Sequence, residues 1–457
     1  MKQKGSLTIP LLTTTATFLI IIYSLLFLLV NQFNFTWRQE ASEEALNIAE
    51  AGANYYRWHL AHAPEDFQDG TGQTGPYVHE YHDPEGSLDG QFSLEITPPD
   101  AGSTIVTVKS TGWRKDFSGV KRTITARYGI PSMASYSFLN NGSIWFGSGI
   151  TVHGLVHCNN GIRMDGVNTS LVTSGRETYT CGSETGCSPP TEKPGVWGSG
   201  PGGDQGLWQF PVPQIDYDSI ALDFIAMRDE AQADGLYLAP SGSQGYHLIF
   251  SADGQVSVRR VTSTGYYYGY SVEGGCERLY QNITGETSIG NYSLAEVPII
   301  FAEDYLWLEG TVNGRTTVAA ARFPLDVNNI NIWIYNNLRY ESHDGSDSLG
   351  VMAQNDIYFA RNIPTDFVVE GALLAKKGHI IRHGYLSFCG WSSYAVRNSL
   401  TIYGSLTSNL KSYWNFGTSP SSGFRTRTTT YDNNLLYEPP PYYPTSGEYE
   451  LLYWSED

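Results

Sequence analysis

Basic residues are scarce in this chain. Its 457 residues include 28 Lys and Arg against 46 Asp and Glu, a formal net charge of −18. That excess argues against nucleic acid and anionic lipid headgroups as partners, because both would be repelled. Charge of either sign is thin as well, at 16% of residues, so the surface has to be built from Asn, Ser, Thr, Gly and Tyr. The five cysteines (Cys158, Cys181, Cys187, Cys276 and Cys389) form no C-x-x-C pair, which removes zinc-ribbon and thioredoxin-type readings. G-x-S-x-G, a Walker phosphate loop, H-E-x-x-H and an EF-hand loop are all missing. The expectation is a protein without cofactor, metal or catalytic centre. Proline is absent between Pro10 and Pro64, which leaves room for one very long helix.

What is present begins with an uncharged stretch, Ile9 to Val30, whose second half is nearly continuous Leu, Ile and Phe. As a helix it is about 33 Å long, enough to cross a bilayer core. Lys2 and Lys4 precede it and no acid occurs before Glu40, so the N-terminus is expected inside and the bulk of the chain exported. A cleaved secretory signal needs a small-residue site after the apolar run, for which Asn31 to Trp37 is poor. Two readings stand beside it: a plain single-span anchor, or a helix preceded by a short basic leader, Met1 to Gly5, cut between Gly5 and Ser6. Beyond Trp37, Ala41, Ala45, Ile48, Ala49, Gly52, Tyr55 and Tyr56 recur at helical spacing, with Arg38, Glu40, Glu43, Glu44 and Glu50 on other faces. One helix is therefore predicted over residues 6–62, its outer half amphipathic.

Forty-eight Gly and 31 Tyr, with few helical patterns after residue 62, point to β-structure rich in turns. Residues 63–88 read as a polar loop. Alternation at Phe92, Leu94 and Ile96, at residues 104–109, and from Arg122 to Tyr128 predicts three antiparallel strands in a subdomain over 63–130, able to cover the amphipathic half of the helix. From 131 to 457 a pattern of the form apolar-x-apolar-x-Gly-x-apolar recurs, at Ile150–Val156, Leu306–Val312, Phe367–Leu373 and Leu400–Leu406. Strands with a glycine bend, followed by Asn and Gly turns, suit the coils of an irregular parallel β-helix, in which Asn can ladder at the corners. A β-sandwich is the alternative. A Gly/Pro-rich insertion is expected at about 179–250, with 179–210 an extended loop and 216–234 a lone helix capped by Asp218. The fold class is thus α+β, mostly β.

At Ala49-Glu50-Ala51-Gly52 the chain resembles the PilX-type minor pilins and assembly proteins of type IV pilus systems, in which a greasy N-terminal helix runs into an A-E-A-G stretch. Leu349 to Phe359 with Val369 to Ala375 looks like the β-rich exported region of that family, and Tyr431 to Tyr437 with Pro439 to Pro444 like its closing segment. The latter also resembles bactofilin-like polymerising β-helices. Two departures stand out: a chain cut after Gly5 begins with Ser6 rather than Phe or Met, and Pro10 stands where major pilins have Glu. The resemblance implies no enzyme activity. It implies a structural component of a pilus or related surface filament (minor pilin, adaptor or adhesin), anchored in the inner or cytoplasmic membrane, packing against other pilin-like subunits through the helix, and incorporated into extracellular pili.

Candidate sites were weighed on chemistry. His79-Glu80-Tyr81-His82-Asp83 has metal-type residues but sits in a loop without a third ligand. His153 and His157 lie about 13 Å apart along a strand, too far to share an ion; His59 and His62 share a helical face. Asp326, Asp344 and Asp347 are turn acids that cap their own backbone, so the competing reading of a polysaccharide-cleaving enzyme lacks its paired carboxylates. Cys181 and Cys187 are spaced to close a small disulfide loop in an oxidising compartment. Tyr266, Tyr267, Tyr268 and Tyr270 are the candidate glycan-contact aromatics.

Overall fold

The computed structural model describes residues 8–100, 103–200, 202–217, 220–417, 420–445 and 448–457. The predicted Gly5–Ser6 cleavage site and the Asp218 cap lie outside the described residues. By contact the chain divides into two units: residues 1–100, 104–130 and 448–457, and residues 101–103 with 131–447.

The first unit is organised by α1, Thr8–His62, 55 residues without a break and so about 80 Å long. Pro10 falls in its first turn, where no hydrogen bond is lost. Residues 8–40 are exposed throughout, including Ile9, Phe18, Ile20, Phe27 and Leu28. Polar side chains in this stretch turn back on the helix: Thr13, Thr14, Thr15 and Thr17 donate to carbonyls four residues earlier, Ser24 to Ile20 and Asn31 to Phe27. In hydrocarbon such internal satisfaction is what makes a hydroxyl tolerable. From Ala41 onward the helix buries Ala45, Ile48, Ala49, Gly52, Ala53, Tyr56 and Leu60.

Those residues face a sheet made of β1 (Tyr77–His82), β2 (Leu88–Thr97), β3 (Val106–Arg114), β4 (Lys121–Gly129) and the C-terminal strand Glu450–Glu456, antiparallel throughout. Phe92, Leu94, Val106, Val108, Ile124, Ala126 and Tyr128 form its buried face. Contact is close because it is made of small residues. A Cβ on Gly112 would lie 2.3 Å from the Ala45 carbonyl, and one on Gly52 2.4 Å from Ser110 Oγ. The sheet differs from expectation at both ends. Residues 63–88 contain a strand, β1, whose outward side chains are polar enough to read as loop. The last strand pairs with β4 rather than with the exported region, so that region ends by contact at Gly447 instead of 457; Arg122 fixes it by pairing with Glu456.

The second unit is built from parallel ladders joined in one closed pairing network. One ladder runs Leu236–Leu238, Ile299–Ala302, Arg315–Ala320, Ser348–Ala353, Asp366–Ala375 and Val396–Ser408, then continues through Tyr136–Asn140, Leu155–Cys158, Val172–Ser174 and Trp208–Gln209. A second runs Gly245–Ser251, Leu306–Val312, Ile332–Tyr340, Ile357–Phe359 and Ile380–Ile381. Along most of the stack, strands consecutive in sequence belong to different ladders. Sandwich sheets are built of antiparallel pairs; here antiparallel pairing is carried by the hairpin set Gly245–Ser251, Gln255–Ser271 and Gly275–Ser293 and by the short pair Thr178–Cys181 and Thr191–Pro194.

The repeated glycines are corners. Gly371 and Gly404 are paired and both have positive φ, 145° and 140°. Before Gly371, Val369 pairs with Leu338; after it, Ala372 to Ala375 pair with Gly350 to Ala353 in another ladder. A Cβ on Gly404 would sit 2.0 Å from the Gly371 carbonyl, so the two parallel strands can approach there because neither residue has a side chain. Asparagines ladder nearby: Asn159 donates to Asn141, and Asn141 to Asn409.

Segment 179–250 is more ordered than an insertion. Trp208–Gln209, Leu236–Leu238 and Gly245–Ser251 are rungs, and Val196–Trp197 pairs in parallel with Ile162–Met164. The helix α2, Ile220–Ala233, is the chain's return path. It links strands near 208 and 236 that occupy opposite ends of one ladder. Its Phe224, Met227 and Ala231 pack on Phe301, Ala319, Met352 and Leu374, the outward residues of that ladder.

Candidate interaction surface

The long hairpin Gln255–Ser271 and Gly275–Ser293 carries the predicted tyrosines and divides them. Tyr268 pairs across strands with Arg278, which puts Tyr266, Tyr268, Arg278 and Tyr280 on one face. Tyr266 and Tyr280 are 46% and 53% exposed. Tyr266 meets Tyr268 edge-on with centroids 5.6 Å apart and Tyr280 at 5.7 Å. The Arg278 guanidinium lies 5.2 Å from the Tyr266 ring, and its Nε donates to the Tyr268 hydroxyl; these contacts hold the rings in place. Tyr267 is elsewhere, under Arg361 at 3.2 Å and accepting from Asn362. Tyr270 packs edge-on against Phe388 and Phe416. The four candidates therefore do not make one surface, because alternation along the strand separates Tyr267 and packing occupies Tyr270.

A second aromatic group went unrecognised in the sequence. Phe388 and Trp391 are 69% and 68% exposed on a loop held at several points. Cys389 is disulfide-bonded to Cys276 at the hairpin turn, 113 residues earlier. Gly390 fits against the Tyr268 carbonyl, where a Cβ would overlap it. Arg382, fully buried, donates to the carbonyls of Ala395 and Tyr394 at the loop's far end. Burial pushes its guanidinium down to about 10, so it stays charged at neutral pH, with carbonyl oxygens as its partners. The available signal was Phe388-Cys389-Gly390-Trp391 itself: two large aromatics around a cysteine and a glycine.

The other candidates are dispersed. Cys181 and Cys187 form a disulfide with Cα atoms 5.6 Å apart. Cys158 is a buried thiol that burial pushes up to about 12. His79 lies on β1, not in a loop, and contacts Asp69 at 2.6 Å. His59 contacts Asp66 at 3.2 Å. His153 meets Thr169, while His157 is buried between Thr173 and Asn159. Asp344 accepts from Ser346, and Asp347 from the backbones of Gly314 and Ser342. Among the described residues no group of three His, Cys, Asp or Glu side chains has the arrangement to hold a metal ion. One described helix, α1, is long and apolar enough to cross a membrane.

No protein-family model matches the chain, and no curated protein matches it. Among solved structures, the chain is similar to the competence-associated pilin ComZ from Thermus thermophilus, at 14% identity over 91% of this chain and 97% of that one, with a TM-score of 0.29. That score lies below the level of a shared fold.

Proposed function

We propose that this protein is a pilin-like structural component of a type IV pilus or related surface filament, anchored by α1 with its N-terminus inside and its β-rich region outside. It acts by assembly rather than catalysis. The carrying observation is that α1 changes solvent partway along one uninterrupted helix: residues 8–40 are exposed and largely apolar, while from Ala41 the helix is clamped on a sheet. An apolar half left free beside a seated half suits side-by-side packing of helices from like subunits, first in a bilayer and then in a filament. In this reading the closed ladders are an irregular parallel β-helix, displayed as a minor pilin, adaptor or adhesin, and the Tyr266–Tyr268–Tyr280 face and the Phe388–Trp391 loop are its outward contacts, with surface glycans as partners.

The test is the intact mass and N-terminal sequence of the protein from membranes and from sheared surface filaments. A mature chain beginning at Ser6 and recovered in filaments is expected. A chain that keeps Met1 and stays wholly in the membrane would overturn the filament reading and leave a single-span anchor.

A further inference from the structure

The parallel register places aromatics directly above one another on the second ladder. Trp307 pairs with Trp333, and Trp333 with Tyr358, so three successive rungs contribute one ring each, at a spacing of about 4.8 Å. Trp333 and Tyr358 have ring centroids 4.5 Å apart. The strand Gly275–Ser293 passes over this stack. Trp307 Nε1 donates to the Gln281 carbonyl on that strand, and a cleft of about 300 Å³ is left between them. Its walls include Glu277, Arg278, Tyr280, Tyr305 and Asn331 in addition to the three aligned rings, of which Trp307 and Trp333 are only 2% and 5% exposed.

The polar groups are fixed in advance. Glu277 accepts from Ser271 at 2.6 Å and pairs with His383 at 3.5 Å, and this His383 contact holds its carboxyl below the usual carboxylate range. Asn331 uses its side-chain oxygen to accept from Asn355 and from the Asp356 backbone, so its amide NH2 is the group it can offer a ligand. Tyr305, 37% exposed, stands at the entrance. The cleft thus combines aromatic walls, in which Tyr280 and Tyr305 are the accessible rings, with an anionic acceptor, the Arg278 guanidinium and amide donors, at the small end of the roughly 300–1,000 Å³ range of ligand sites.

We infer that this cleft binds a neutral saccharide, one or two pyranose rings of a longer glycan. A sugar ring has an apolar C–H face, which lies on an aromatic plane, and a rim of hydroxyls that both donate and accept, as carboxylate and amide edges require. Arg278 balances Glu277 within the lining, and polyanionic glycans are disfavoured by the net charge of −18. Hydrolysis is not the chemistry of this cleft, because a glycosidase needs a carboxylate pair and Glu277 is the one carboxylate among the described lining residues. The inference deepens the display reading by naming a ligand class and a second location for it. It does not depend on incorporation into a filament, since binding is measured on purified chain.

The experiment uses the full-length protein in a sugar-free detergent, with tryptophan fluorescence and saturation-transfer NMR. The probes are cellobiose, maltose, lactose and N,N′-diacetylchitobiose, with a heparin-derived disaccharide and choline alongside. Saturable binding of at least one neutral sugar is expected. Tyr305→Ala and Glu277→Gln should each weaken it by roughly tenfold or more, while Tyr453→Ala, on the C-terminal strand of the first unit, leaves it unchanged. Binding kept in Tyr305→Ala and Glu277→Gln but lost in Trp391→Ala would overturn the assignment to this cleft. Preference for the heparin disaccharide or for choline would overturn the ligand class, and no saturable binding by any neutral sugar would overturn the inference as a whole. None of these results bears on where the mature chain begins or whether it enters filaments.

Discussion

The two units bury their strands by different rules. In the first, β2 alternates buried and partly exposed residues along most of its length, because one face meets α1 and the other meets water. In the second, Ser348–Ala353 is buried at all six positions: Val351 and Ala353 face the interior, and Met352 faces the layer that contains α2. Parallel strands covered on both faces lose the alternation that marks an antiparallel sheet. Gly371 and Gly404 instead mark a bend where the chain passes between ladders. Both units rely on close backbone approach, but at Gly112 a helix comes down on a sheet, whereas at Gly404 one strand comes down on its parallel neighbour.

That contrast can be broken one side at a time. The largest effect is expected from Gly404→Val, which puts a β-branched side chain at positive φ against a neighbouring carbonyl and should cost about 4 kcal/mol. Hydrogen exchange should show lost protection in Leu400–Leu406 and Phe367–Leu373, with β2 and β3 unchanged. Gly112→Val should cost about 3 kcal/mol with the opposite pattern, deprotecting β3 and the outer half of α1 while the ladders keep their protection. If either variant loosens both units together, the division by contact is not a division in stability. Removing the long-range disulfide with Cys276→Ser and Cys389→Ser should cost about 2–3 kcal/mol and raise protease cutting around Phe388, read by mass spectrometry, with the first unit unaffected.

The smallest effect expected is on pH dependence, again confined to the ladders. Asp356 accepts from the His379 ring at 2.6 Å and from Tyr358, and His379 also faces Glu273, which in turn holds Tyr413. Burial alone would lower the His379 value, but Asp356 and Glu273 outweigh it and hold the imidazole above its ordinary 6.5. Burial alone would raise Asp356, but His379 outweighs it and holds the carboxyl below 3.8. The raised histidine contributes stability that is complete below about pH 6.5 and lost as pH rises through its folded value. The depressed carboxyl contributes above about pH 3.8, and that part is lost as pH falls through its folded value. Thermal melting of the second unit should therefore peak between these limits and decline on the alkaline side. His379→Gln should flatten the alkaline decline; an unchanged profile would show that the pair does not couple to folding.

The same contrast explains which parts could be read from residues alone. The helix was legible along its whole length, because Leu, Ile and Phe mark one half and Ala41, Ala45, Ala49 and Gly52 the other. The sheet was legible at β2, β3 and β4 through alternation, and the corner glycines through their repetition. The strand Tyr77–His82 was not, since Val78, Glu80 and His82 face out, His79 sits in its inward row, and its neighbours are Gly and Pro. Segment 179–250 was not, because rungs as short as Trp208–Gln209 leave no periodic trace and are defined by partners distant in sequence. Among the tyrosines, composition located the hairpin, but only register separated Tyr266 and Tyr268 from Tyr267. The alignment of Trp307, Trp333 and Tyr358 was invisible for the same reason: nothing local aligns residues on separate strands of a parallel ladder.

One consequence follows from the strand Glu450–Glu456. It lies against β4, whose other edge is held by β3, so the sheet that seats α1 is finished by residues made long after the helix. In synthesis the helix comes first and its seat is closed last. A chain interrupted anywhere in the intervening ladders would leave β4 as a bare edge, open to strand addition by other chains. Closure of that edge distinguishes a completed chain from an unfinished one.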